Sequence, residues 1–202
     1  MIELVPVFIF FFAVIDPIGT VPVFIAVTKH LDEETKRRVA IRATLTSAAI
    51  LIFFVVAGEI ILTAMGIPLA AFQIAGGLVL FLFALTMIFG DSKPEQEVKL
   101  VRDGSELAVF PLAVPSIASP GAMLAAVLLT ENASYTVTQQ FLTVLMMLGV
   151  LVIVLVLMLA AAPIHRLIGD AGASVISKVM GLILASVATA STLEGIQVYF
   201  GI

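Results

Sequence analysis

Residues 148–162 of this chain are apolar at every position, and five further stretches come close to the same pattern. This pattern constrains the fold more than any other feature. About 20 consecutive apolar residues, wound as a helix, cross the hydrocarbon core of a bilayer. The sequence predicts six such spans, at residues 4–28, 43–65, 69–89, 107–129, 141–163 and 179–200. A transmembrane β-barrel needs short strands of alternating apolar and polar residues, and the run 148–162 does not alternate. Of the 202 residues, 61% are hydrophobic and 12% charged, against about half and a quarter in a soluble domain. Mean hydropathy is +1.22. A soluble protein of this size has no interior large enough for that much apolar surface, so the chain reads as an all-α, multi-pass membrane protein. The first apolar run is too long for a signal peptide, and Met1-Ile2-Glu3 carries no basic leader.

Charge sets the expected orientation. Lys29, Lys36, Arg37, Arg38 and Arg42 fall between spans 1 and 2. Lys93, Lys99 and Arg102 fall between spans 3 and 4, and Arg166 and Lys178 between spans 5 and 6. These are all ten basic residues. The other connections and both termini have none. By the positive-inside rule, the three longer connections face the cytoplasm and both termini lie outside. The segment Asp32-Glu33-Glu34-Thr35-Lys36-Arg37-Arg38 is expected to be a solvated helix start.

Helix breakers recur at matching places. Span 1 carries Asp16-Pro17-Ile18-Gly19-Thr20-Val21-Pro22, and span 4 carries Pro115-Ser116-Ile117-Ala118-Ser119-Pro120-Gly121-Ala122. Each has two prolines five residues apart, near the middle of its span. Gly77-Leu78-Val79-Leu80 in span 3 echoes Gly181-Leu182-Ile183-Leu184 in span 6. The chain therefore divides into two three-span repeats, 1–100 and 101–202, forming one membrane domain. An odd number of spans per repeat inverts the second relative to the first. Paired, interrupted helices in inverted repeats mark the substrate site of secondary transporters. Proline removes a backbone donor and obstructs the carbonyl one turn back, so backbone N–H and C=O groups are expected to stand free at the two breaks, and the N-terminal end of the restarting half-helix favours an anion. The alternative is that the prolines only kink the spans for packing.

Asp16 lies deep in span 1. A carboxyl there is costly and marks a functional site by default; an aspartate before proline also caps a restarting helix. Glu194 follows the polar stretch Thr189-Ala190-Ser191-Thr192 near the outer end of span 6, where it could join an ion pathway or reach headgroups. Glu59 reads as a residue near the outer surface. Thr44, Ser47 and Gln73 read as interhelical hydrogen-bond groups.

Some function classes fall away. No cysteine and only two histidines are present, which argues against a thiolate or histidine-built metal site. There is no Walker lysine or nucleotide-binding glycine loop. An intramembrane aspartyl protease would need a second aspartate within a span. The net charge of −4 argues against nucleic acid. No enzyme activity, metal or cofactor is expected.

The motif Asp16-Pro17-Ile18-Gly19-Thr20-Val21-Pro22-Val23-Phe24 resembles the first-helix motif of the MarC family. Pro111-Leu112-Ala113-Val114-Pro115, followed by Ser119-Pro120-Gly121-Ala122, resembles its fourth-helix motif. Gly66-Ile67-Pro68-Leu69-Ala70-Ala71-Phe72-Gln73-Ile74-Ala75-Gly76-Gly77 and Val179-Met180-Gly181-Leu182-Ile183-Leu184-Ala185 are similar to its third and sixth segments. The likeness covers the whole chain. It implies six spans and a grouping with LysE-type amino-acid exporters. The SnatA-like branch implies cation-coupled transport of small neutral amino acids. The chain departs from the family pattern at Ser119, where glycine is usual, and at Glu194.

The expected function is secondary transport of glycine, alanine or serine by alternating access, driven by a proton or sodium gradient across the cytoplasmic membrane. The alternatives are a channel or passive facilitator for another small polar solute, and a scaffold that transports nothing. Expected substrate contacts are Asp16, Pro17, Gly19, Thr20 and Pro22 in span 1, with Pro115, Ser116, Ser119, Pro120, Gly121 and Ala122 in span 4. Asp16 and Glu194 are the ion-coupling candidates. Partners are the amino acid, the ion and the lipid bilayer. Bundles this small often pair, so a homo-oligomer is kept in view without a motif that requires it.

Overall fold

The computed structural model describes residues 4–89, 107–132 and 134–201. The expected connection with Lys93, Lys99 and Arg102, and the repeat boundary at 100–101, lie outside the described residues, as does the side chain of Arg166. All regular structure among the described residues is helical. Among the described residues, five helical segments, the first of them interrupted, are long and apolar enough to cross a membrane, and a bent pair taken as one span makes a sixth.

The first span is two helices, α1 (Leu4–Ile15) and α2 (Pro17–Thr28), with Asp16 between them. α3 (Glu33–Ala64) begins ten residues before the predicted span, because it includes the solvated start as its first turns. The Asp32 side chain accepts from the Thr35 N–H at its N-terminus. The bonds from the Thr35 hydroxyl and N–H hold the Asp32 carboxyl below its usual 3.8. At the other end, the Gly66 N–H donates to the Thr63 carbonyl and the Ile67 N–H to that of Leu62. Gly66 takes φ 67°, so this is a glycine-closed helix end, and Pro68 follows it. α4 (Leu69–Phe89) occupies the predicted third span.

The fourth span is also two helices. α5 (Ala108–Ile117) is irregular, with extended backbone at Phe110 and Val114, each of which precedes a proline that disfavours helical geometry. The Phe110–Pro111 and Val114–Pro115 peptide bonds are cis. α6 (Pro120–Leu128) follows at a 58° bend. α7 (Val137–Leu159) starts four residues early, where Thr136 and Gln139 cap each other's backbone. α7 stops four residues short of the predicted end at 163, and α8 (Ala161–Phe200) takes up the last three residues of that span and the predicted connection after it; its helix is interrupted at Gly169, and Ser174–Phe200 is the membrane-length part. Pro163 therefore ends no span. It sits in the first turn of α8, where proline costs no helical hydrogen bond.

The interrupted first span is far more enclosed than the unbroken spans beside it. Its apolar window is 56% buried, against 17% for α3 and 22% for α4. α1 packs on α6, α7 and α8, while α2 packs on α5, α7 and α8. An interrupted helix cannot face lipid with unsatisfied backbone, and this one is surrounded by protein. The outer surface presents Val56, Leu82, Val152 and Leu182, as suits a hydrocarbon solvent.

α4 and α8 pack along their length, antiparallel, on small residues. A Cβ on Gly77 would meet the Ala188 carbonyl oxygen at 3.0 Å, and one on Gly181 the Ala84 carbonyl oxygen at 3.1 Å. The two contacts are reciprocal: each glycine lies seven residues before the alanine that its counterpart touches.

Candidate functional site

The centre of the bundle is built from the two interruptions. Asp16 takes a left-handed conformation, φ 51° and ψ 68°. This region is uncommon for residues with a Cβ but is most accessible to Asn and Asp. Its N–H still donates to the Phe12 carbonyl at 3.0 Å, and its own carbonyl accepts from the Thr20 N–H at 3.1 Å. The helix is therefore re-aimed over one residue rather than unwound. The Asp16 carboxylate turns onto the start of α2 and accepts from the Gly19 N–H at 3.0 Å. A Cβ on Gly19 would lie 2.0 Å from Asp16 Oδ2, so only glycine leaves room for the carboxylate. Asp16 is 2% exposed.

The second interruption follows the same plan with a different residue. Ser119 is extended, and its hydroxyl accepts from the Ala122 N–H at 3.1 Å. Pro17 and Pro120 each occupy the first helical position after the capping residue, which is favourable for proline. The cap bonds the N–H three residues on in both cases. The proline spacing had suggested a different register. The second proline, Pro22, lies after the break inside α2, whereas Pro115 lies before the break inside α5.

The two interruptions meet. The Ser119 hydroxyl donates to the Val14 carbonyl at 2.7 Å, across 105 residues of sequence. Thr20 Oγ1 donates to the Asp16 carbonyl at 3.1 Å and lies 3.3 Å from Ser116 Oγ. Ser47 of α3 donates to the Ala43 carbonyl at 2.8 Å and approaches that of Ala113 at 3.4 Å. Thr20, Ser116, Ser119, Gly121 and Ala122 are all buried. A Cβ on Gly121 would strike Leu80 at 2.5 Å, so the start of α6 is pressed against α4. Of the predicted contacts, Asp16, Pro17, Gly19, Thr20, Ser116, Ser119, Gly121 and Ala122 share this interior, with Pro22 and Pro115 half-buried; Pro120 is exposed.

The sequence had suggested free backbone groups at the breaks. The structure corrects this. The Gly19, Thr20, Ala122 and Met123 N–H groups and the Val14 and Asp16 carbonyls all have partners within the protein. In lipid each unsatisfied group would cost on the order of several kcal/mol, so a resting interruption is stable only when capped. The contribution of the Val14 carbonyl was not legible in sequence, because any residue offers one.

Cavities open toward both ends. One of about 290 Å³ is lined by polar groups of Gln73, Glu131, Ser134, Tyr135, Ser191 and Glu194. Gln73 donates to Glu194 at 3.1 Å. Burial pushes the Tyr135 phenol up, and Glu194 and Glu131 add to the shift. Glu194 is thus placed in this cavity, exposed, and apart from Asp16. Tyr135 was missed in sequence, lying outside every predicted span. Glu59 accepts from the Asn132 N–H and side-chain amide at 2.9 and 2.8 Å, fastening the connection between α6 and α7. A second cavity, of about 620 Å³, lies where α2, α3, α7 and α8 converge. Neither lining includes Asp16 or Ser119.

Comparison with known proteins follows the same lines. The profile described as MarC family integral membrane protein matches residues 1–200. A UPF0056 membrane protein of Methanocaldococcus jannaschii is 34% identical over 189 residues, covering 92% of each chain. One from Archaeoglobus fulgidus is 33% identical over 188 residues, covering 92% of this chain and 88% of its own. The UPF0056 inner membrane protein YhgN of Escherichia coli is 29% identical over 199 residues, covering 98% of each. No solved structure matches.

Proposed function

Since this chain belongs to the MarC family of integral membrane proteins, we propose that it is a secondary transporter of small neutral amino acids, working by alternating access with a proton or sodium gradient. The observation that carries this reading is the pair of capped helix interruptions joined at the buried centre by the Ser119 to Val14 bond. Two half-helix N-termini with a carboxylate between them suit a small zwitterion. The small residues around them, Gly19, Gly121 and Ala122, suit glycine, alanine or serine. The two halves, 1–100 and 101–202, act as inverted repeats. The matched caps and the reciprocal Gly77 and Gly181 contacts support this arrangement. Placement in the cytoplasmic membrane, with both termini outside, follows from the charge distribution.

The caps suggest how coupling works. The Asp16 carboxylate and a substrate carboxylate compete for the same N-terminus of α2. A proton or sodium ion on Asp16 weakens its hold on the Gly19 N–H and opens that end to substrate. Ion and amino acid then bind with positive linkage, each raising the affinity for the other. An enclosed centre flanked by separate cavities suits alternating access better than an open channel.

The test is uptake of labelled alanine and glycine into proteoliposomes under imposed proton or sodium gradients. The expected result is accumulation against the amino-acid gradient, driven by one of the ions. Asp16→Asn is expected to keep equilibrative flux and lose ion-driven accumulation. Flux that only equilibrates in the native protein would replace this reading with a facilitator. No flux from folded protein would withdraw the amino-acid assignment.

A further inference from the structure

The cavity of about 620 Å³ has two unlike walls. Phe24 and Ile25 at the end of α2, with Met158 and Leu159 at the end of α7, form an apolar wall. Leu159 is 49% exposed, so this wall opens sideways onto the apolar surface of the bundle. Lys29, Lys36 and Arg37 form the opposite rim, accompanied by Glu33. Lys36 is paired with Glu33 at 2.8 Å, whereas Lys29 and Arg37 take part in neither of the two ion pairs among the described residues. The rim therefore has a surplus of two positive charges. The start of α3 faces the same space, and the positive end of a helix dipole adds to the field.

We propose that this cavity is a binding site for an anionic phospholipid. The headgroup phosphate rests on Lys29 and Arg37, and an acyl chain lies along Ile25 and Leu159. An amphiphile with one anionic and one hydrocarbon part matches both walls, and a water-soluble anion would leave the apolar wall uncovered. Basic pockets between membrane helices recognise acidic headgroups in this way. Fixing α2 to α7 and α8 at this end would set the position of the helix that carries the Asp16 interruption. The site depends only on which end of the bundle is basic. It stands apart from the transport reading, and a failure of either leaves the other in place.

The experiment is native mass spectrometry of the purified protein titrated with phosphatidylglycerol, phosphatidylcholine or inorganic phosphate. The expected result is preferential retention of phosphatidylglycerol. Lys29→Gln with Arg37→Gln should weaken it by about five-fold per charge removed. Ala162 of α8 also lines the cavity; Ala162→Trp, which fills part of the space for the acyl chain and keeps every charge, should weaken retention as well and carries the test if the charge variant does not fold. Equal retention of the two lipids, or unchanged retention in a folded variant of either kind, would overturn the proposal. Displacement of phosphatidylglycerol by millimolar phosphate would do the same, by showing a simple anion site.

Discussion

Asp16 combines two demands that usually fall on different residues. It must adopt a left-handed backbone, and its side chain must cap the helix that follows. Aspartate and asparagine meet both, and only aspartate adds a titratable group. Asp16→Asn is therefore expected to leave the fold intact, with a melting temperature close to that of the native protein. Asp16→Ala removes the cap and is expected to cost about 1 kcal/mol or somewhat more. Gly19 is tied to the same carboxylate, because its missing Cβ would sit 2.0 Å from Asp16 Oδ2. Gly19→Ala should cost about 1–3 kcal/mol as an overpacking change. That cost should shrink in an Asp16→Ala background, where the clashing oxygens are gone. A double-mutant cycle of thermal unfolding in detergent measures this coupling; additive effects would show that the two residues act independently.

Among the elements, α4 and α8 show how small residues set helix spacing. Membrane helices gain no hydrophobic drive from association, so close backbone contact and packing have to supply it. Gly77, Gly181 and Gly195 all bring α4 and α8 backbones together; a Cβ on Gly195 would meet the Ala70 carbonyl oxygen at 3.1 Å. Gly149 of α7 has nothing within 4 Å of its missing Cβ. Gly77→Leu and Gly181→Leu are expected to force the pair apart and to lose most monodisperse protein. Gly149→Leu is expected to behave as the native protein does. Fluorescence-detected size exclusion after a heat step separates these outcomes, and equal sensitivity at Gly149 would mean that the effect comes from leucine rather than from the contact.

Among the described residues, the cavities at the two ends of the molecule carry opposite charge. Lys29, Lys36 and Arg37 surround the cavity at one, while Glu131 and Glu194 line the cavity at the other. Under the orientation proposed above, the cavity lined by Lys29, Lys36 and Arg37 faces the cytoplasm. The chain has no cysteine, so single cysteines report accessibility without background. In intact cells, Ser134→Cys is expected to react with a membrane-impermeant maleimide, and Arg38→Cys only after permeabilisation. The reverse pattern would invert the orientation and exchange the roles of the two cavities.

Much of this architecture is carried by local chemistry. The third span coincides with its predicted limits, and the two halves of the first together fill theirs, because the length of an apolar run is itself the constraint. Both interruptions were legible because proline cannot donate within a helix. Span ends were less so: α3 continues past its apolar part on the strength of the Asp32 cap, and α7 stops at Leu159, so that α8 takes up the end of the predicted fifth span and the connection after it. Only the tertiary structure decided what occupies the broken ends. The Ser119 to Val14 bond joins residues 105 apart, and the Thr20 to Ser116 contact joins residues 96 apart. It also separated Glu194 from Asp16, which the sequence had grouped as ion-coupling candidates, and it matched Pro17 with Pro120. A residue's propensity acts within a turn or two of its own helix. Which hydroxyl meets which carbonyl depends on how whole helices pack, and that information is spread over the entire chain.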